Sequence, residues 1–216
     1  MFQNRHEAGE RLADAVAELD PQDPLVLALP RGGVPLGVDV AVRLGAPLDL
    51  MMVRKIGMPG QPEVAAGAIV DGSAPTTLFN TDLLDRTGLC EADFDAVVAR
   101  LRAEIEARRA RYLPGRTAEP VAGRTVVLVD DGIATGATVR AAIKALRVLN
   151  PKAVWVAVPV APQDTLAILK AECDRVICLH VPEPFWSVGA YYRDFGAVED
   201  EEVVRLLQQA WNARND

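Results

Sequence analysis

Short apolar runs that alternate with helical patterns constrain this chain more than any other feature. Residues 25–29, 47–53, 125–129, 153–158 and 175–179 each read as one buried strand. Apolar positions at helical spacing recur near 36–44, 136–149, 163–171 and 199–212. This alternation predicts α/β class: a parallel twisted sheet flanked by helices, with right-handed crossovers. The 216 residues suffice for one such domain with an appendage. A further helix opens the chain, where Asn4 and Glu7 fit a capping box and Ala8, Leu12, Ala15, Val16 and Leu19 repeat at helical spacing.

The rhythm fails in two places. Residues 54–62 are rich in glycine and proline and read as an irregular mobile stretch, followed by a short apolar segment at 65–70. Residues 72–120 read as a helical insertion with patterns at Thr81–Thr87 and 91–112. In the second pattern Phe94, Val97, Val98, Leu101 and Ile105 make one apolar face. Arg108, Arg109 and Arg111 are expected on its solvated side. An irregular segment at about 180–198 precedes the closing helix.

Residues 126–138, VVLVDDGIATGAT, carry the chemistry. Four apolar β-formers end in two adjacent acids, Asp130 and Asp131. A run of small and hydroxylated residues then leads into a helix. Ligands of open α/β sheets bind beyond the carboxyl ends of the strands. Backbone N–H groups of a tight loop at a helix N-terminus cradle an anion. Two carboxylates there would repel a bare phosphate, but they can accept hydrogen bonds from hydroxyls beside one, as on a ribose. Capping a helix needs one acid, and a second adds repulsion. A second loop, Pro30-Arg31-Gly32-Gly33, carries a cation and two glycines at another strand end. The two loops lie about a hundred residues apart, so only the sheet can join them. Together they suit a sugar phosphorylated at both ends.

These residues resemble the type I phosphoribosyltransferase family, whose signature is four apolar residues, two acids and a small-residue loop ending Thr-Gly-x-Thr. The resemblance extends to residues 30–33 as a pyrophosphate loop and to Arg54-Lys55-Ile56-Gly57 as a flexible loop after the second strand. It is weakest over 72–120. It implies one domain over 1–216 with a hood at about 180–198. It implies that Asp130 and Asp131 hold the ribose hydroxyls, that Ala134, Thr135, Gly136, Ala137 and Thr138 wrap the 5-phosphate, and that Arg31, Gly32 and Gly33 bind pyrophosphate. A non-proline cis peptide is expected at Arg31–Gly32. Arg54 and Lys55 would close over the leaving group, which puts Asp130, Asp131, Arg31 and Lys55 among the catalytic residues. Glu183, Phe185 and Trp186 would meet a flat heterocycle.

The activity implied is transfer of ribose 5-phosphate from phosphoribosyl pyrophosphate to a nucleobase or similar nitrogen nucleophile, a nucleotide-salvage reaction. Mg²⁺ would be held mainly by the substrate rather than by a protein cluster. Several purine-salvage relatives keep a catalytic Asp in the phosphate loop where this chain has Ala134, and the cation that reads a 6-oxopurine is missing from 156–161. Glu63 could act as a base, although a solvated loop acid is the plainer reading. A regulator that binds the same sugar phosphate without turnover is the alternative, and a hydrolase of that substrate is a third. The net charge of −7 speaks against nucleic acid or an anionic membrane as a partner. No apolar run reaches the ~20 residues of a membrane span. Three cysteines without metal spacing, and a charged N-terminus, suggest the cytoplasm. The family's habit of pairing makes a homodimer an expected assembly.

Overall fold

The computed structural model describes residues 1–72 and 75–215. Five strands form a parallel sheet: β1 (Pro24–Ala28), β2 (Leu48–Leu50), β6 (Thr125–Val129), β7 (Ala153–Val160) and β8 (Arg175–His180), in the order β2-β1-β6-β7-β8. Helices α1 (Arg5–Ala17), α2 (Gly33–Leu44) and α7 (Asp200–Asn215) pack on one face. Helices α5 (Ala137–Val148) and α6 (Gln163–Glu172) pack on the other.

Period-two alternation splits each strand between the two cores. On β1, Val26 and Ala28 join Leu12, Leu36 and Val40, whereas Leu25 and Leu27 join Ile143, Leu146 and Leu169. Both faces of the sheet are covered, which is why its strands read as unbroken apolar runs. Asn4 caps α1 by accepting from the Glu7 amide at 2.9 Å, and the Glu7 carboxylate in turn takes the Gln3 amide.

Two expectations need correction. The run at 47–53 is not one strand. β2 stops at Leu50, Met51 gives its amide to Ala28 at 3.0 Å, and the chain leaves the sheet. Met51 and Met52 are buried in opposite cores, so the apolar pattern continues across a change of sheet. The stretch at 54–62 is not a loop. β3 (Val53–Met58), β4 (Gln61–Val70) and β5 (Thr76–Phe79) form a separate antiparallel sheet, and β3 and β4 make a hairpin. Gly60 supplies its turn at φ +74°. Gly57 lets the strands close, because a Cβ there would stand 2.7 Å from the Pro62 carbonyl oxygen.

Residues 72–120 thus contain a strand as well as α3 (Thr81–Thr87), a 3-10 turn at Glu91–Phe94 and α4 (Asp95–Tyr112). On α4, Leu101 and Ile105 are buried as their spacing predicts. Arg109 is not solvated. It reaches Asp49 at 3.0 Å and Asp71 at 2.8 Å, both carboxylates being nearly inaccessible. Asp49 belongs to β2 and Asp71 follows β4, so this one guanidinium ties the two sheets together.

Candidate functional site

The parallel register places the two chemically loaded loops side by side. β1 and β6 pair from Pro24 with Thr125 to Ala28 with Val129, and Leu29 then gives its amide to Val129 at 2.9 Å. Both strands therefore end together, and residues 30–33 meet Asp130 and Asp131. The approach is so close that a Cβ on Gly32 would overlap Asp131 Oδ2, and one on Gly33 would stand 2.6 Å from the Val129 carbonyl oxygen. Any other residue at these positions would push the loops apart. The cis peptide in this loop joins Pro30 to Arg31, one bond earlier than expected.

The loop after β6 is pinned by buried Ile133, Gly136 and Val139, while Ala134, Thr135, Ala137 and Thr138 face solvent. The Thr165 hydroxyl of α6 donates to the Ala134 carbonyl at 2.7 Å. Gly136, at φ +74°, is the N-cap of α5 and offers no side-chain cap, and the first turn carries no acid. The first amides of a helix lack intrahelical partners. Here they open into a cavity of about 240 Å³ lined by this loop, Asp130 and Val188. The geometry suits a phosphate at a helix N-terminus. Neither Asp130 nor Asp131 caps the helix. Asp130 Oδ1 accepts the Asp131 amide at 2.9 Å.

The acid pair has a counter-ion that the sequence does not reveal. Arg5 Nε donates to Asp131 Oδ2 at 2.8 Å and Arg5 Nη1 to the Gly196 carbonyl at 2.7 Å, with the guanidinium 3.8 Å above the Phe195 ring. The Tyr192 hydroxyl donates to the Asp131 carbonyl at 2.6 Å. Burial raises the pKa of both carboxyls; the charge of Asp131 adds to the rise at Asp130, and Arg5 opposes it at Asp131. Burial and the Asp131 charge also push the Tyr192 phenol up. Arg5 is 126 positions from Asp131 and sits in a polar N-terminal stretch, so no local pattern marks it.

The remaining candidates disperse. Arg31 turns its guanidinium to the start of α7, 3.5 Å from both Glu199 and Asp200. Arg54 donates to the Val53 carbonyl at 3.0 Å. Lys55 pairs with Glu63 at 3.3 Å within the hairpin, and Glu63 is 94% exposed, a solvated acid. In the segment at 180–198, Glu183 is exposed and precedes a cis proline. Phe185 stacks on Tyr191 with centroids 5.7 Å apart, and Trp186 is 78% exposed. Val188 roofs the loop after β6: a Cβ on Gly132 would stand 2.5 Å from it. Among the described residues no cluster of three His, Cys, Asp or Glu side chains could hold a metal, and no helix is long and apolar enough to cross a membrane.

Comparison with known proteins agrees with the fold. A family model described as "Phosphoribosyl transferase domain" matches residues 3–194. The chain belongs to this family. Two Mycobacterium tuberculosis proteins, from strains CDC 1551 and H37Rv and provisionally named as phosphoribosyl transferases, are 43% identical over 210 residues, 97% of this chain and 47% of theirs. The chain spans about half the length of these curated relatives. A Leifsonia xyli protein named "Bifunctional protein PyrR" is 33% identical over 128 residues, 56% of this chain and 58% of its own. The crystal structure of TT1426 from Thermus thermophilus superposes with a TM-score of 0.84 at 43% identity, covering 97% of this phosphoribosyl transferase domain and 98% of that chain.

Proposed function

We propose that this phosphoribosyl transferase domain moves ribose 5-phosphate from phosphoribosyl pyrophosphate to a nitrogen nucleophile, a nucleobase or a similar small heterocycle, releasing pyrophosphate. The observation that carries the reading is the uncapped, acid-free N-terminus of α5, which opens beside an acid pair held by Arg5. In this reading the amides of residues 134–138 wrap the 5-phosphate, and Asp130 and Asp131 accept from the ribose hydroxyls. Arg31, Gly32 and Gly33 meet the pyrophosphate.

Displacement at C1 breaks the bond to the pyrophosphate oxygen and forms one to the acceptor nitrogen. Positive charge grows on the ring and negative charge on the leaving group. The protein's share is to fix the reacting atoms and to place fixed charge where charge develops. The buried acid pair favours the cationic ring, and Arg31 the departing pyrophosphate. Arg54 and Lys55 assist if the β3–β4 hairpin bends inward, and closure would also exclude water. Mg²⁺ is the expected cofactor, supplying charge neutralisation at the pyrophosphate. The acid pair, with one arginine as counter-ion, offers carboxylate oxygens that would help hold it beside the substrate's own oxygens. Phe185 and Trp186, with Glu183, line the acceptor side. With no carboxylate at Ala134, the proton lost from the acceptor nitrogen passes to solvent.

The test is pyrophosphate release from phosphoribosyl pyrophosphate with Mg²⁺ against a panel of purines and pyrimidines and a no-base control. Base-dependent release supports transfer. Tight binding without turnover on every base replaces it with a regulator, and release without base replaces it with a hydrolase. An Asp131→Asn variant that binds the sugar phosphate as the parent does contradicts the ribose assignment.

A further inference from the structure

The residues ahead of α1 make contacts that the transfer chemistry above does not use. Phe2 stands in a polar stretch, yet it is buried. Its backbone pairs in parallel with Tyr192. The Phe2 amide donates to the Tyr191 carbonyl, the Arg193 amide to the Phe2 carbonyl and the Asp194 amide to the Gln3 carbonyl, each at 2.8 Å. Bonds of this length make residues 2 and 3 a strap on the segment at 191–194 rather than a loose lead-in. The Phe2 ring lies 5.4 Å from that of Tyr192, and Tyr192 meets Phe195 at 4.9 Å.

The strap leads to the acid pair. Tyr192 is buried and gives its hydroxyl to the Asp131 carbonyl at 2.6 Å. Arg5, two positions after Gln3, joins the Asp131 carboxylate to the Gly196 carbonyl. Asp131 is thus held at its backbone and at its side chain by one unit, residues 2–5 together with 191–196. Apolar packing alone would keep that unit in place without aiming a hydroxyl at one peptide. The bond fixes the peptide that follows Asp131, and so the direction in which the carboxylate leaves the backbone.

We propose that Tyr192 is a positioning residue for Asp131, seated by Phe2, and that an occupied sugar site steadies the strap between residues 2–3 and 191–194 through it. The proposal rests on the assignment of Asp131 to the ribose hydroxyls. Tyr192 touches no reacting atom; it sets where the carboxylate stands. Coupling between two equilibria is reciprocal, so a strap that steadies Asp131 is itself steadied when a sugar takes that carboxylate.

Hydrogen exchange, followed residue by residue by NMR, reads the strap directly, because each of its three bonds has one amide donor. In the parent chain, saturating phosphoribosyl pyrophosphate with Mg²⁺ should slow exchange at Phe2, Arg193 and Asp194 about threefold or more. Tyr192→Phe keeps the ring and removes the hydroxyl. It should weaken binding of the sugar phosphate about threefold or more by calorimetry, and at saturation its three amides should no longer respond to the ligand. Phe2→Ala should repeat both losses, and Phe2→Leu, which keeps a large apolar side chain, should recover most of the affinity. A Tyr192 that only packs would give faster exchange with the ligand response intact. Parent amides indifferent to the ligand overturn the proposal, as do equal slowing in parent and Tyr192→Phe, a smaller loss of affinity, or a Phe2→Leu no better than Phe2→Ala. The parent measurement stands whether or not a variant folds. If the parent takes up no phosphoribosyl pyrophosphate, the functional reading falls and the positioning role with it. Binding without turnover on any base removes transfer alone and leaves the positioning role intact.

Discussion

The five-stranded parallel sheet and the three-stranded antiparallel sheet each carry a glycine-rich connection, and the two connections use glycine for different ends. After β6, Gly132 and Gly136 hold a loop whose amides point outward, with no side chain to cap the helix behind it. In the hairpin, Gly57 and Gly60 bring two strands together and form a turn, so the amides there go into a ladder. A parallel sheet cannot close its connections with hairpins. Its strand ends therefore stay available for ligands, and an antiparallel ribbon consumes them. The difference explains why one glycine-rich stretch makes a candidate site and the other makes a flap.

The contact most able to break this two-sheet arrangement is Arg109. Its guanidinium spans Asp49 and Asp71, one from each sheet, and both carboxylates are about 95% buried. Arg109→Gln removes the counter-ion of two buried carboxylates, of which Asp49 keeps the Leu50 and Glu119 amides, at a cost of about 3–5 kcal/mol. Its melting temperature should fall by roughly 10 °C. If the variant melts within 2 °C of the parent, the small sheet is held by something other than this tie.

A sharper look at the parallel side comes from Arg5→Gln. Sugar hydroxyls donate more strongly to ionised than to neutral carboxyls, and Asp130 and Asp131 have raised pKa values. For such groups the folded state holds protons more tightly than the unfolded chain. Their contribution to stability is therefore fullest at low pH and is lost as pH rises through the raised values. Binding runs the opposite way, weakening as pH falls through the same window. Arg5 lowers Asp131, so its removal moves that window upward. Affinity for phosphoribosyl pyrophosphate should drop about tenfold or more, and the drop should deepen as pH is lowered, measured by calorimetry across a pH series. An unshifted pH profile would mean that Arg5 merely packs.

Paired alanine substitutions test the glycine contrast itself. At Gly136 an alanine adopts φ +74° and sets its Cβ 2.8 Å from Thr165 Cγ2, so both backbone and packing resist. Its cost should be about 2 kcal/mol, with loss of sugar-phosphate binding. At Gly60 the φ is the same but no atom lies within 4 Å of the added methyl. That cost should be about 1 kcal/mol, with binding kept. Denaturant titration reads both, and equal costs would erase the distinction.

Legibility in the sequence followed locality. The parallel strands could be read because burial on both faces writes continuous apolar runs, and the acid pair and the small-residue loop after it because they are contiguous. The small sheet was hidden at both ends. Met51 and Met52 extend the apolar run of β2 across a sheet change, and Gly57, Pro59, Gly60 and Pro62 imitate a loop. Arg5 and Arg109 were out of reach for a different reason. Each owes its role to partners at least 38 positions away, and a charge on a helix looks the same whether water or a buried carboxylate receives it.

The smallest stability effect belongs to Lys55, and it decides whether the hairpin is only a flap at rest. Its ammonium pairs with Glu63 at 3.3 Å, with side-chain exposures of 45% and 94%, so solvent screens the pair and little stability rests on it. Lys55→Gln should leave the unfolding free energy within about 0.5 kcal/mol of the parent. The pair stays inside the hairpin, so a Lys55 that reaches a leaving pyrophosphate must first give up Glu63 as the hairpin bends. That motion predicts a separation of readouts: unchanged melting, and pyrophosphate release slowed about tenfold. Slowed release would give the antiparallel sheet a part in the chemistry of the parallel one. Unchanged release would confine the reaction to the strand ends of the parallel sheet and leave the hairpin as structure alone.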